Sequence, residues 1–229
     1  MYPSRCPVCG NIVTPRQQMV CMGCANTFHV IKNPKCLKCG KPLEQEEQEY
    51  CFDCTRQTFH FNRGMALWVY DEKVKKSIAN FKFHNRREYS KYYVQELLNY
   101  YREEIIKTAP DILVPVPLHK SKLKERGFNQ AYLLAQGISK SVGIPVVENY
   151  LIRSHKTKAQ KRLDNRERAN NLHGAFALNS SYSEIIFNKI MLIDDIYTTG
   201  STIDACAEVL LQVGVKEIYF LSLSIGRGF

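Results

Sequence analysis

The chain has 229 residues, 45% hydrophobic and 24% charged, which is the make-up of a folded chain of one or two domains and excludes a disordered one. No apolar run approaches the roughly 18 residues of a membrane span, and the opening MYPSRCPVCG lacks the apolar core of a secretion signal, so a cytoplasmic protein is expected. The excess of 32 basic over 22 acidic residues, a net +10, suits a phosphorylated or polyanionic partner.

Eight of the nine cysteines form four CxxC pairs, Cys6/Cys9, Cys21/Cys24, Cys36/Cys39 and Cys51/Cys54, whose first members stand 15 residues apart. The region therefore reads as two copies of one unit, CxxC-x11-CxxC. Two such pairs supply the four thiolates of a tetrahedral structural zinc, and two zinc ions are expected. Sequential pairing follows the duplication, while a crossed arrangement uses the same sulfurs, so the pairing stays open. Gly10 and Gly40 follow a second sulfur, where a tight knuckle favours positive φ. The stretch EQEEQE at 44 to 49 is wholly polar, so metal binding must supply much of the local folding free energy, on the order of 10 kcal/mol per site. His29 and His60 are spare ligands in principle, and solvated or packed roles suit them better.

Beyond Cys54 the texture changes. Residues 66 to 70 (ALWVY) read as a strand, 73 to 83 as a helix burying Val74, Ile78 and Phe81, and 89 to 106 as a longer amphipathic helix. ILVPVP at 112 to 117 is β-rich, and Asn129 caps a helix that Gly143 ends. IPVV at 144 to 147, KIMLI at 189 to 193 and IYFLSLSI at 218 to 225 read as further strands. A helix over 202 to 213 lies between the last two, with Cys206 as a small core residue on its apolar face. Alternation of strand and helix predicts an α/β fold, a parallel sheet with helices on both faces.

The most informative stretch is IMLIDDIYTTGST at 190 to 202. An apolar strand runs into Asp194 and Asp195, then a loop of hydroxyl residues with one glycine, then a helix. Free backbone amides at such a helix start, with the hydroxyls of Thr198, Thr199, Ser201 and Thr202 beside Gly200, suit a phosphate monoester. The two carboxylates suit a diol, since each accepts the hydrogen bonds that hydroxyls donate. Phosphate beside diol describes a ribose 5-phosphate. The segment resembles the phosphoribosyl pyrophosphate (PRPP) motif of type I phosphoribosyltransferases.

Other blocks narrow the resemblance. VPVPLHKSKLKERGFNQA at 114 to 131, the spaced residues Thr157, Gln160, Leu163, Arg168, Asn171, Leu172, Gly174, Ala175 and Phe176, the AxFKF segment around Lys82 and Phe83, and the CxxC array together resemble the ComF family of competence proteins, over nearly the whole chain. The resemblance implies a phosphoribosyltransferase-like domain over 61 to 229 behind a double zinc ribbon over 1 to 60. It also implies a part in natural transformation beside a ComFA-like translocase, and places a pyrophosphate loop at Leu118, His119 and Lys120, with Mg2+ arriving with PRPP. No general base for an acceptor is visible, and no catalytic residue is assigned.

Basic residues cluster at 73 to 91, 119 to 126 and 153 to 173. They suit PRPP or a single strand of DNA equally, with Phe81, Phe83, Tyr89, Tyr92 and Tyr93 as stacking candidates and Lys82, Arg126, Lys156, Lys158 and Arg168 as candidate nucleic-acid contacts. The leading expectation is a DNA-uptake factor that binds PRPP or a related ribose phosphate and single-stranded DNA. The alternative is an active phosphoribosyltransferase of nucleotide metabolism whose ribbons are only structural.

Overall fold

The structure, a computed structural model, describes residues 3–15, 17–153 and 174–227. Its centre is a four-stranded, wholly parallel sheet in the order β1 (Arg63–Val69), β6 (Glu217–Ile225), β5 (Lys189–Tyr197), β2 (Ile112–Pro115). Strands lying side by side in parallel need long crossovers, and the helices α2 (Glu72–Phe83), α3 (Tyr89–Thr108), α4 (Lys120–Arg126), α5 (Gln130–Val142) and α6 (Ser201–Gln212) lie within them. The short α1 (Phe52–Arg56) precedes the sheet, and β3 (Leu151–Arg153) pairs with β4 (Phe176–Leu178) as a separate antiparallel ribbon.

Side chains alternate across each strand, and the two faces bury different partners. Met191 and Ile193 of β5 join Leu113, Leu221 and Leu223 under α2, α3 and α5, with Phe81, Tyr93, Leu97 and Leu134 filling the layer. Ile190 and Leu192 face the other way, against Ile203, Cys206, Ala207 and Leu210 of α6. Helices thus cover both faces as expected, but unequally, and Cys36, Cys39 and Cys51 of the second zinc-ribbon repeat, with Phe59 and Phe61 after it, complete the α6 side. Cys206 is fully buried in that layer, as its place on the apolar face predicts.

The helices follow local signals. The Asp71 side chain accepts from the Val74 amide to start α2, and Asn129 accepts from the Ala131 amide to start α5. Gly143 ends α5 at φ +78. Two expectations need correction. Residues 144 to 147 do not form a strand: Val146 makes one isolated bridge to Leu113, because Pro145 has no N–H to extend a ladder at this half-exposed edge. Nor does the central strand stop at Ile193. Its ladder continues through Asp194 opposite Ser222 to Tyr197 opposite Ile225, so both acids lie within β5 and the turn begins only after Tyr197. Of the stacking candidates, Phe81, Tyr89, Tyr92 and Tyr93 are buried core residues, which leaves Phe83 alone in the open. Lys156, Lys158 and Arg168 lie outside the described residues.

Candidate ligand cleft and metal centres

The eight cysteines gather into two groups, Cys6, Cys9, Cys21, Cys24 and Cys36, Cys39, Cys51, Cys54, with the sulfurs of each group within 4.8 Å of one another. The pairing is sequential. Bonds of about 2.3 Å at tetrahedral angles set zinc-bound sulfurs about 3.8 Å apart, and the Cys9–Cys21 and Cys39–Cys51 separations of 4.0 and 3.6 Å fit that. Four thiolates and no other donor make each a closed structural site. Gly10 and Gly40 both take φ +79 at their knuckles, while His29 and His60 bond Asp71 and Asp204 instead of joining either group.

A cleft of about 750 Å³ opens at the carboxyl edge of the sheet, the end at which open parallel sheets present their loops to ligands. Tyr70 after β1, Val116 and Pro117 after β2, and Asp194 to Thr198 at the end of β5 line it. Because β5 stays extended there, its two acids turn to opposite faces. Asp195 points toward α2, where the Lys82 ammonium donates to it at 2.8 Å, both side chains being nearly enclosed. Asp194 accepts from the Asp195 amide at 2.8 Å. Burial of its carboxyl group, and next the charge of Asp195, push its pKa up to about 7, while Lys82 and Arg153 pull the other way.

The turn that follows requires its glycine. Gly200 sits at φ +86, and a side chain there would strike Tyr197 and Phe59. It is the N-cap of α6 and brings no capping side chain of its own, at the helix end where backbone amides meet anions. The hydroxyl residues divide. Thr198, Gly200 and Thr202 line the main cleft, whereas Thr199 and Ser201, 2.9 Å apart, line a second pocket of about 220 Å³ with Phe52, Asp53, Arg56 and Gln57 of the second ribbon.

The opposite wall comes from α4 and the end of α2. Leu118 lines the cleft, but the side chains expected with it do not: His119 accepts from the Ser121 amide as the cap of α4, and Lys120 is exposed. One turn apart on α4, Lys122 and Arg126 face the cleft in their stead. Partial burial, then Arg153, Arg126 and Lys82, push the Lys122 pKa down. Lys122 and Arg153 thus line the cleft although the sequence did not single them out. The four-residue step from Lys122 to Arg126 was a usable signal for the first, whereas Arg153 is brought in by β3 and had none.

Comparison with known proteins follows the same division of the chain. Residues 1–55 match the double zinc ribbon domain. Competence protein F of Haemophilus influenzae is 30% identical over 221 residues, covering 89% of this chain and 96% of that protein. ComFC of Bacillus subtilis is 29% identical over 86% of this chain and 80% of its own. The DNA utilization protein YhgH of Escherichia coli is 27% identical over 94% of each. Among solved structures, a purine phosphoribosyltransferase from Pyrococcus horikoshii is similar at a TM-score of 0.36 and 16% identity, over 58% of this chain and 74% of that one, a likeness too slight to argue from. Shared length, the double ribbon and identity along almost the entire sequence have one meaning: the chain belongs to the ComF family of competence proteins.

Proposed function

We propose that this ComF protein binds a ribose 5-phosphate, PRPP or a close relative, in the cleft at the carboxyl edge of its sheet, and that it serves DNA uptake or use. One observation carries the ligand: two carboxylates at the end of β5 and the Thr198, Gly200 and Thr202 turn at a helix start line a single cavity. The names of the relatives, competence protein and DNA utilization protein, support the DNA role. Among the described residues no helix is long and apolar enough to cross a membrane.

In this reading the α6 amides and the hydroxyls of Thr198 and Thr202 take the 5-phosphate. Asp194 and Asp195 accept from the diol, with Lys82 holding Asp195 in place. Lys122 and Arg126 replace His119 and Lys120 as the groups that meet a pyrophosphate, positioned where negative charge gathers as it leaves. Mg2+ arriving with PRPP would add to the neutralisation that Lys122 and Arg126 provide. Single-stranded DNA and a ComFA-like translocase are the macromolecular partners proposed with it.

Calorimetric titration of the zinc-loaded protein with PRPP and Mg2+, alongside a D194N/D195N double variant, tests the site. Binding by the wild type and a loss of at least ten-fold in the variant is the expected result. Absence of binding by the wild type at millimolar PRPP would sink the ligand reading and leave DNA or protein binding as the activity to pursue.

A further inference from the structure

The wall of the cleft opposite the phosphate turn carries a feature that a ribose phosphate alone does not use. Phe83, the last residue of α2, is 55% exposed, and among the described residues it is the one exposed large apolar side chain that lines this cleft. Its helix neighbour Phe81 is fully buried, so α2 places one ring in the core and leaves the other in the cavity. The Arg126 guanidinium lies 5.0 Å from the centre of the Phe83 ring. Arg126 is itself fixed, since its Nη1 donates to Gln130 Oε1 at 2.8 Å and Gln130 is 1% exposed. A ring backed by a held planar cation is a preorganised stacking surface.

Its position relative to the carboxylates gives it a purpose. Phe83, Lys82 and Asp195 line the same cleft, and Lys82 holds Asp195, so the ring and the group assigned to the ribose diol share one cavity. The base of a nucleotide leaves the ribose at C1, next to that diol.

We infer that the cleft takes a nucleobase, held by stacking on the Phe83–Arg126 pair, so that its ligand class is a nucleoside 5′-phosphate. This rests on the ribose 5-phosphate reading above.

The test compares AMP, ribose 5-phosphate and adenosine by calorimetry on the full, zinc-loaded chain, with F83A and F83Y as variants and a thermal melt to show that each is folded. Stacking of one base is worth about a ten-fold gain or more. AMP is therefore expected to bind the wild type at least ten-fold more tightly than ribose 5-phosphate, F83A to remove most of that advantage, and F83Y to keep it. Equal affinities for AMP and ribose 5-phosphate in the wild type, or an advantage untouched by F83A, would overturn the inference. The two readings fail separately. Ribose 5-phosphate bound without any gain for AMP refutes the base site and keeps the phosphate site, whereas adenosine bound in a Phe83-dependent way with no binding of ribose 5-phosphate does the reverse.

Discussion

The first ribbon leaves Cys9 exposed and rests on the α2–α3 side of the sheet, where Phe28 meets Trp68 with ring centres 4.8 Å apart and Val8 and Val20 touch the same cluster. The second buries Cys36, Cys39 and Cys51 in the cluster that carries α6 and the end of β5. The cysteine spacing is identical, so the difference lies in what each unit touches. Lys41 of the second unit, nearly enclosed, pairs with Asp53 and lies 6.0 Å from the Tyr197 ring. Phe59 closes over Gly200, and His60 donates its amide to Asp204 in the first turn of α6 at 2.6 Å. The first site thus has Cys9 exposed beside a buried Cys6 on the α2–α3 side, while the second forms part of the wall behind the Thr198–Thr202 turn.

Zinc loss should expose this asymmetry most strongly. A structural zinc contributes on the order of 10 kcal/mol to a ribbon's folding. In C39S that loss falls on residues shared with the main core, so the melting temperature should drop by more than about 10 °C and ribose phosphate binding should vanish. In C9S the exposed site is damaged, the melt should shift by only a few degrees, and binding should survive. Thermal melts with zinc analysis decide the matter, and equal effects of the two variants would erase the proposed division of labour.

A smaller blow to the same wall is D53N. It leaves the Lys41 ammonium buried without its carboxylate, and breaking a buried pair from one side costs about 3 kcal/mol. Denaturant unfolding should show that loss with both zinc ions retained. An unchanged midpoint would mean that the second ribbon is held by packing alone.

The G200A variant acts on the turn itself. At φ +86 the added methyl is strained and meets Tyr197 and Phe59, at a cost of about 1–3 kcal/mol. If the turn relaxes to relieve it, ribose phosphate affinity should fall ten-fold or more while zinc content stays constant. Calorimetry that finds full affinity would show that the turn holds no phosphate.

Much of this arrangement was legible in the residues, for reasons that differ by region. Eight cysteines at a fixed spacing specify metal ligation whatever their surroundings, and Asn129 and Gly143 announce the ends of α5 because capping is local chemistry. The strand limits were less visible. The apolar run of β5 ends at Ile193, and only pairing with the nine-residue β6, distant in sequence, carries the ladder on through Asp194 and Asp195. The resemblance places His119 in the pyrophosphate loop, yet its ring accepts from the Ser121 amide as a helix cap. The stack of Arg126 on Phe83 joins α4 to the end of α2 across 43 residues of sequence, and no local pattern encodes such a meeting. The unequal fate of the two ribbons was hidden for the same reason: packing against distant strands is decided by the fold and not by the repeat.

The smallest expected effect concerns pH and separates the two sides of the molecule once more. With its pKa raised from 3.8 to about 7, Asp194 keeps its proton in the folded protein over a range where the unfolded chain has already lost it. The folded state then binds more protons than the unfolded state between about pH 4 and 7, so this group's contribution to stability declines as pH rises through that window and stays low above it. D194N removes the dependence. The variant should match the wild type near pH 4 and melt a few degrees higher at pH 8, roughly 2–4 °C for each kcal/mol recovered. Protonation of zinc thiolates acts in the opposite direction, weakening both ribbons in acid, but it does so equally in the two proteins and cancels in their difference. Melts at intervals between pH 4 and 8 should therefore give a gap that opens with pH. A constant gap would mean that the Asp194 carboxyl titrates as an ordinary surface acid and that the floor of the cleft is wet.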